Sequence, residues 1–136
     1  MRSLTFIFLF FLFVSCNKET CKGIEYVNGV TFKNGKLYSG KCITHNPNGT
    51  IRSIQSYKDG LDHGEWIFYH DNDELSTIGR FNLGKKVGEW KYYHKNGNIY
   101  FHQFFDDNGN EIGTWKEFNE NGEIIKTYKK ILITIE

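Results

Sequence analysis

An internal repeat constrains this chain more than any other feature of its sequence. The glycines that set its register are spaced by 24, 24 and 25 residues, and they are Gly40, Gly64, Gly88 and Gly113. An asparagine follows each of them at the eighth position, and a tryptophan follows the last three at the second. Repeats of this length bury their apolar surface against their neighbours, so they form arrays. The sequence therefore predicts one array, with units at about 40–63, 64–87, 88–112 and 113–136 and a degenerate unit at 23–39.

Each unit has the pattern of two short strands joined by a tight turn. Asn-Gly between aromatic-rich runs is a strong hairpin signal, because both residues tolerate the positive φ of a type I′ turn. Connections this short force neighbouring strands to pair antiparallel. We predict an all-β fold, an antiparallel meander of about eight to ten strands in an elongated, curled sheet after an N-terminal signal helix. The predicted turn residues are Asn48, Gly49, Asn72, Asn96, Gly97, Asn121 and Gly122, with Asp73 replacing glycine in the second unit.

The aromatic residues of the repeats should form two stripes, because side chains alternate between the faces of a sheet. Large aromatic side chains bury about 150–250 Å² each, and a sheet without helices has few other means of making a core. So short a chain cannot cover both faces, and one stripe should remain a partly exposed interaction face. The candidate face is either Trp66, Phe68, Trp90, Tyr92 and Trp115 or the opposite stripe of Tyr69, Tyr93 and Phe118.

The N-terminus has the pattern of an export signal. Arg2 precedes the apolar run LTFIFLFFLFV (Leu4 to Val14), which is shorter than the roughly 20 residues of a membrane-spanning helix and fits a signal peptide. The end of the run, FLFVSC, resembles the lipobox of bacterial lipoproteins, although Phe13 stands where leucine is usual. This resemblance implies a signal peptide at 1–15, a lipid on the Cys16 thiol and a membrane tether at 16–22, before the repeat domain at 23–136. An ordinary secretory cleavage site is the alternative.

Two cysteines remain beyond Cys16. Cys21 and Cys42 form an even pair, which favours a disulfide in an oxidising compartment over two free thiols. The chain-entropy model gives such a bond about 3 kcal/mol of stabilisation.

The charge balance argues against nucleic acid as a partner. Removal of residues 1–15 takes away Arg2 and leaves 16 basic residues against 16 acidic ones. Nucleic-acid binders need a basic patch that displaces counterions from phosphates, and no such patch is evident.

The sequence predicts no metal, no cofactor and no enzyme activity. His70 and His94 occupy one repeat position, but Asn46 and Asn119 stand there in the other units. Zinc–nitrogen bonds of about 2.0–2.1 Å could not easily bridge strands two apart. Glu65 and Glu89 are interpreted as solvated strand ends.

The motif GEWKYYHKNG, with its relatives GEWIFYHDND and GTWKEFNENG, resembles the MORN-like repeats of the bacterial YwqK-type toxin–antitoxin antitoxins. The resemblance covers about Tyr26 to Tyr128 and is weakest in the first unit, where Cys42 and His45 replace aromatic residues. It implies a repeat architecture, and the family label implies an antitoxin that acts by direct binding.

Three functions follow as expectations. The first is a non-enzymatic, lipid-anchored protein of the bacterial cell envelope, whose repeats bind an unidentified protein on the periplasmic or the surface side. The second is an antitoxin that neutralises a cognate toxin by direct binding. The third is a membrane-associated structural scaffold.

Overall fold

The computed structural model describes residues 21–130. The predicted signal peptide, Cys16, most of the tether and the terminal KILITIE lie outside the described residues, apart from Lys130. The described part is all-β, as predicted, and contains twelve strands and no helix. The strands are β1 Ile24–Val27, β2 Val30–Lys33, β3 Lys36–Leu37, β4 Gly40–His45, β5 Ile51–Lys58, β6 Leu61–Asp62, β7 Gly64–Tyr69, β8 Leu75–Asn82, β9 Lys85–Tyr93, β10 Ile99–Phe105, β11 Thr114–Phe118 and β12 Ile124–Lys129.

The long sheet is the predicted antiparallel meander. Its order is β12-β11-β10-β9-β8-β7-β5-β4, and the short β6 pairs with β5. The degenerate first unit differs from the prediction, because β1, β2 and β3 form a separate three-stranded sheet. These extra strands and β6 raise the count above the eight to ten that the repeat arithmetic indicated.

Backbone hydrogen bonds and a covalent bond join the small sheet to the long one. The Thr31 amide donates to the Gly60 carbonyl at 2.8 Å, and the Gly60 amide donates to the Tyr38 carbonyl at 2.8 Å. A side chain at Gly60 would lie 2.6 Å from a Val30 methyl group, so the close approach requires glycine. A disulfide joins Cys21 to Cys42, the pairing that the sequence favoured.

The turn at Asn48-Gly49 and its equivalents in the other three regular units are of a different kind from the predicted type I′, whereas Asn28-Gly29 and Asn34-Gly35 in the degenerate unit have the positive φ at both residues that type I′ requires. Among the residues of the first turn, Gly49 has a positive φ and Asn48 does not. The Asn46 amide donates to the Thr50 carbonyl at 2.8 Å, and the Gly49 amide donates back to the Asn46 carbonyl at 2.9 Å. This is the pattern of a three-residue loop whose last residue is left-handed. The same pattern of φ is found at Asn72–Asp73, Asn96–Gly97 and Asn121–Gly122.

Side-chain hydrogen bonds explain this difference. The Asn48 side-chain oxygen accepts a hydrogen bond from the Thr50 amide at 3.1 Å, which ties asparagine to the residue two positions on. Asn72 and Asn96 accept equivalent bonds, whereas Asn119 rather than Asn121 does so in the fourth unit. The register shifts at the start or end of each of these loops.

The core of the long sheet lies on its tryptophan side. Trp90, Phe105 and Trp115 are buried, and Phe81, Tyr92, Phe101 and Tyr128 pack against them, while Phe104 contacts this cluster from the opposite face. Each tryptophan also donates its indole N–H to a carbonyl of the preceding strand: Trp66 to Ser56 at 2.9 Å, Trp90 to Arg80 at 3.1 Å and Trp115 to Phe104 at 3.2 Å. These bonds satisfy a polar group that burial would otherwise leave without a partner.

We expect Gly79→Ala to be strongly destabilising. A Cβ atom at Gly79 would overlap the indole ring of Trp90, and overpacking of this kind costs about 1–3 kcal/mol. Chemical denaturation should show that the free energy of unfolding falls by this amount. In a Trp90→Phe variant, the further change Gly79→Ala should lower the free energy of unfolding by less, because the smaller ring leaves room for the methyl group. A loss below about 0.5 kcal/mol in the single variant, the level of an ordinary surface change, would contradict the packing argument.

The first two return turns, Asp59-Gly60 and Leu83-Gly84, have positive φ at both central residues, as type I′ turns do. The longer third turn has a positive φ at Gly109 but not at Asn108. Leu83 has a φ of 46° and its side chain is 49% exposed. Since the left-handed region costs most L-residues about 1–2 kcal/mol but suits asparagine, we expect Leu83→Asn to raise the free energy of unfolding by about 0.5–1 kcal/mol. Leu83→Ala, which removes the apolar surface and keeps the strain, should gain much less in the same assay. An equal gain from both substitutions would show that exposure rather than backbone strain was relieved.

Candidate functional site

The two stripes of aromatic residues lie on opposite faces of the long sheet, as residues paired across strands show. Along β9, Trp90 and Tyr92 alternate with Lys91 and Tyr93, so the two sets point to opposite faces. Directly paired residues share a face, and Trp90 pairs with Gln103 while Lys91 pairs with His102. We call the side with Trp66, Phe68, Trp90, Tyr92 and Trp115 the tryptophan face. The side with Tyr69, Tyr93 and Phe118 is the tyrosine face.

Most of the tryptophan face is occupied by the core. Trp90 is 3% exposed and Trp115 is 6% exposed, while Trp66, Phe68 and Tyr92 are partly exposed. Lysines add further cover, since Lys86 Nζ lies 4.3 Å from the centre of the Trp90 ring and Lys130 Nζ lies 4.1 Å from that of Trp115. Only the end at Trp66 therefore offers tryptophan surface to a partner.

The tyrosine face keeps its aromatic stripe partly exposed. Each ring pairs with an aliphatic residue at the adjoining strand end, namely Tyr69 with Leu75, Tyr93 with Ile99 and Phe118 with Ile124. All three rings are partly exposed, and Ile124 is 54% exposed. A second row crosses the same face in the middle of the strands, where the residues paired in succession are Ile43, Ile54, Ile67, Ile78, Lys91, His102 and Lys116.

Two concavities lie on this face. The first, of about 480 Å³, has apolar walls from Leu75, Ile78, Val87 and Tyr93 and is also lined by Glu65, Arg80, Glu89, Lys91 and Asp107. The second, of about 460 Å³, is lined by His102, Phe104, Ile112, Gly113, Thr114 and Lys116. Apolar surface with charged groups beside it suits the binding of another molecule.

Glu89 connects the two concavities electrostatically. Its carboxylate accepts hydrogen bonds from Lys91 Nζ at 2.8 Å and from His102 Nε2 at 2.7 Å. The hydrogen bond from Lys91 is the main cause that lowers the pKa of Glu89, and the same bond raises the pKa of Lys91. Because all three groups lie near solvent, the pairing orders the side chains more than it stabilises the fold.

Two histidines hold neighbouring repeats together at the end of the sheet formed by the Asn-Gly turns. His70 Nε2 donates to the Tyr93 carbonyl at 2.8 Å, and His94 Nε2 donates to the Phe118 carbonyl at 3.0 Å. Asn72 and Asn96 make the same kind of bond, to the carbonyls of Lys95 and Glu120 respectively. Sequence reasoning missed this role, although the recurrence of histidine at one repeat position was its signal.

A metal centre has no support among residues 21–130, where no group of three or more histidine, cysteine, aspartate or glutamate side chains could hold an ion. Within the same residues, no helix has the length and apolar character to cross a bilayer.

Two solved structures are distantly similar to this chain. A chain of the "Glycosylation Associate Protein (Gap123) complex from Streptococcus agalactiae" is 16% identical, with a TM-score of 0.42, and the match covers 81% of this chain and 22% of that one. A chain in the "Crystal structure of GtfA/B complex bound to UDP and GlcNAc" is 12% identical, with a TM-score of 0.33, and the match covers 78% and 23%. This chain thus spans less than a quarter of either. No curated protein matches it.

The sequence profile of a repeat family gives the clearest relationship. The profile, described as "MORN repeat variant", matches residues 38–59, 62–82, 86–107 and 111–129. These segments make up more than half of the chain, and each contains one of the register-setting glycines described above. The chain belongs to the MORN repeat variant family.

Proposed function

We propose that this chain is a non-enzymatic protein-interaction module, anchored to the bacterial cell envelope by a lipid on Cys16, whose tyrosine face binds the partner. One observation supports the choice of face. The tryptophans are largely used in the core, whereas Tyr69, Tyr93 and Phe118 remain partly exposed. Partly exposed tyrosine suits protein interfaces, because the ring is apolar and the hydroxyl can form hydrogen bonds.

The surroundings of this stripe also favour a protein partner. Tyr93 forms part of the wall of the larger concavity, whose rim carries both acidic and basic groups, including Glu65, Arg80 and Asp107. An apolar centre with a polar, mixed-charge rim is the usual composition of a protein–protein interface. A nucleic-acid partner would instead call for a predominantly basic surface.

The proposed face is tested by Tyr69→Ser combined with Tyr93→Ser. The double variant should capture at least about tenfold less partner than the wild type, which is the effect of removing one or two hot-spot residues. Photo-crosslinking in cells, followed by quantitative mass spectrometry, would identify and measure the captured protein. Tyr26→Ser is the matched control, since Tyr26 is 71% exposed but lies on the small sheet. Unchanged capture by a folded double variant would refute the proposed face.

The proposed anchor is tested separately by metabolic labelling with a fatty acid. Wild-type protein should carry the label and fractionate with membranes, and Cys16→Ala should lose the label. Lipidation requires the cysteine thiol, so Cys21→Ala serves as a control that should keep the label. An unlabelled, cytoplasmic wild-type protein would refute envelope anchoring and favour the antitoxin alternative.

A further inference from the structure

The tryptophan face has three equivalent positions, one beside each tryptophan, and they differ in whether a lysine ammonium group lies there. In each, the residue two places before a register-setting glycine pairs with an aromatic residue of the preceding strand. The pairs are Tyr57 with Asp62, Phe81 with Lys86 and Phe105 with Glu111. Each aromatic partner contacts the tryptophan of the following unit, with ring centres 5.5 Å apart for Tyr57 and Trp66, 5.0 Å for Phe81 and Trp90, and 5.5 Å for Phe105 and Trp115.

Two of these positions contain an ammonium group of the chain itself. Lys86 Nζ lies 4.3 Å from the Trp90 ring centre and donates to the Tyr92 hydroxyl at 2.9 Å. In the last unit, Lys130 Nζ lies 4.1 Å from the Trp115 ring centre and 2.7 Å from a carboxylate oxygen of Glu111. A cation over an indole face is attracted by the ring quadrupole. The last unit therefore holds its ammonium group between an indole ring and a carboxylate.

The remaining position has the ring and the carboxylate but lacks the ammonium. Asp62 corresponds to Glu111, and Trp66 corresponds to Trp115, but the residue that corresponds to Lys130 is Phe81. No lysine or arginine among residues 21–130 forms an ion pair with Asp62 or lies over the Trp66 ring. Trp66 is accordingly more exposed than the two tryptophans that carry a lysine.

The state of Asp62 agrees with a missing partner. The side chain is partly buried, and burial raises the pKa of its carboxyl group, with no nearby cation to lower it. The same carboxylate adds to burial in raising the pKa of Tyr57 to about 12. A negative charge held beside aromatic rings, with no countercharge from the chain, favours a cation from outside.

We propose that Asp62 and Trp66, with Tyr57 and Phe81 beside them, form a binding site for an organic ammonium group, such as the side chain of a lysine on another molecule. The bound group would occupy the place that Lys130 takes between Glu111 and Trp115. This site lies on the opposite face from the proposed protein-binding stripe, so it stands whether or not that proposal holds.

The test follows the three indole N–H resonances of the full-length chain by NMR, assigned with single Trp→Phe variants. The probes are Nα-acetyl-lysine methylamide and tetramethylammonium chloride, with sodium chloride at equal ionic strength as the control. We expect a saturable shift of the Trp66 resonance and none at Trp90 or Trp115, where lysines already lie over the rings. Asp62→Asn should weaken the binding by about fivefold, the value of losing one exposed charge pair.

Two further variants separate the site from general effects of salt or folding. Asp62→Lys places an ammonium where the next unit has Lys86, so the probe should no longer shift Trp66 while the other two resonances remain in place. Lys130→Ala leaves Glu111 and Trp115 without their ammonium, so the probe should now also shift Trp115. Tighter binding of the lysine derivative would identify a lysine side chain as the source. Tighter binding of tetramethylammonium would identify a quaternary headgroup or metabolite.

Equal shifts with sodium chloride, or a Trp66 shift that persists in Asp62→Lys, would overturn the proposal.

Discussion

The hydrogen bond from each tryptophan indole to a carbonyl of the preceding strand is the interaction on which the long sheet depends. It satisfies the one polar group of the indole, which allows Trp90 and Trp115 to be almost fully buried. Each indole also contacts an aromatic ring of the unit before it, namely Tyr57 for Trp66, Phe81 for Trp90 and Phe105 for Trp115. The long sheet, which has no helix or second layer against it in the described part, thereby acquires a continuous core along one face.

That core continues to Tyr38, which stands at the start of the first matched repeat and directly after the small sheet. Ring contacts connect Tyr38 to Tyr57, Tyr57 to Trp66 and Trp66 to Phe81. Lys33 lies over Tyr38, much as Lys86 lies over Trp90. The degenerate unit therefore closes the first end of the array, a role that repeat proteins commonly give to an atypical terminal unit.

The repeat period, the all-β class and the placement of two aromatic stripes on opposite faces could all be predicted from the sequence. These follow from residue spacing and from the alternation of side chains along a strand, which depend little on tertiary contacts. The type of the turns at Asn48-Gly49 and its equivalents in the other matched repeats could not, because it depends on hydrogen bonds from asparagine side chains that compete with the type I′ geometry. Gly79 was also overlooked, since Gln55 and Gln103 occupy the same repeat position and only the position of the Trp90 ring makes glycine necessary.

For the candidate site, the sequence identified both stripes but did not distinguish between them. The distinction depends on which rings are covered, and lysines from two different repeat positions provide much of that cover. Lys86 precedes its tryptophan by four residues, whereas Lys130 follows its tryptophan by fifteen, so no single motif relates them. Because no single motif places a lysine beside each tryptophan, the sequence alone did not show that Asp62 and Trp66 lack one.

The disulfide between Cys21 and Cys42 determines how a pulling force would travel through the molecule. A load applied through the N-terminus reaches Cys21 and passes through the sulfur atoms directly to β4, the first strand of the long sheet. The small sheet lies within the covalent loop that this bond closes, so it bears no tension and keeps its contacts with Gly60 while the load is applied. Mechanical strength then depends on the pairing of β4 with β5, and reduction of the disulfide would transfer the load to the much shorter strands β1 to β3.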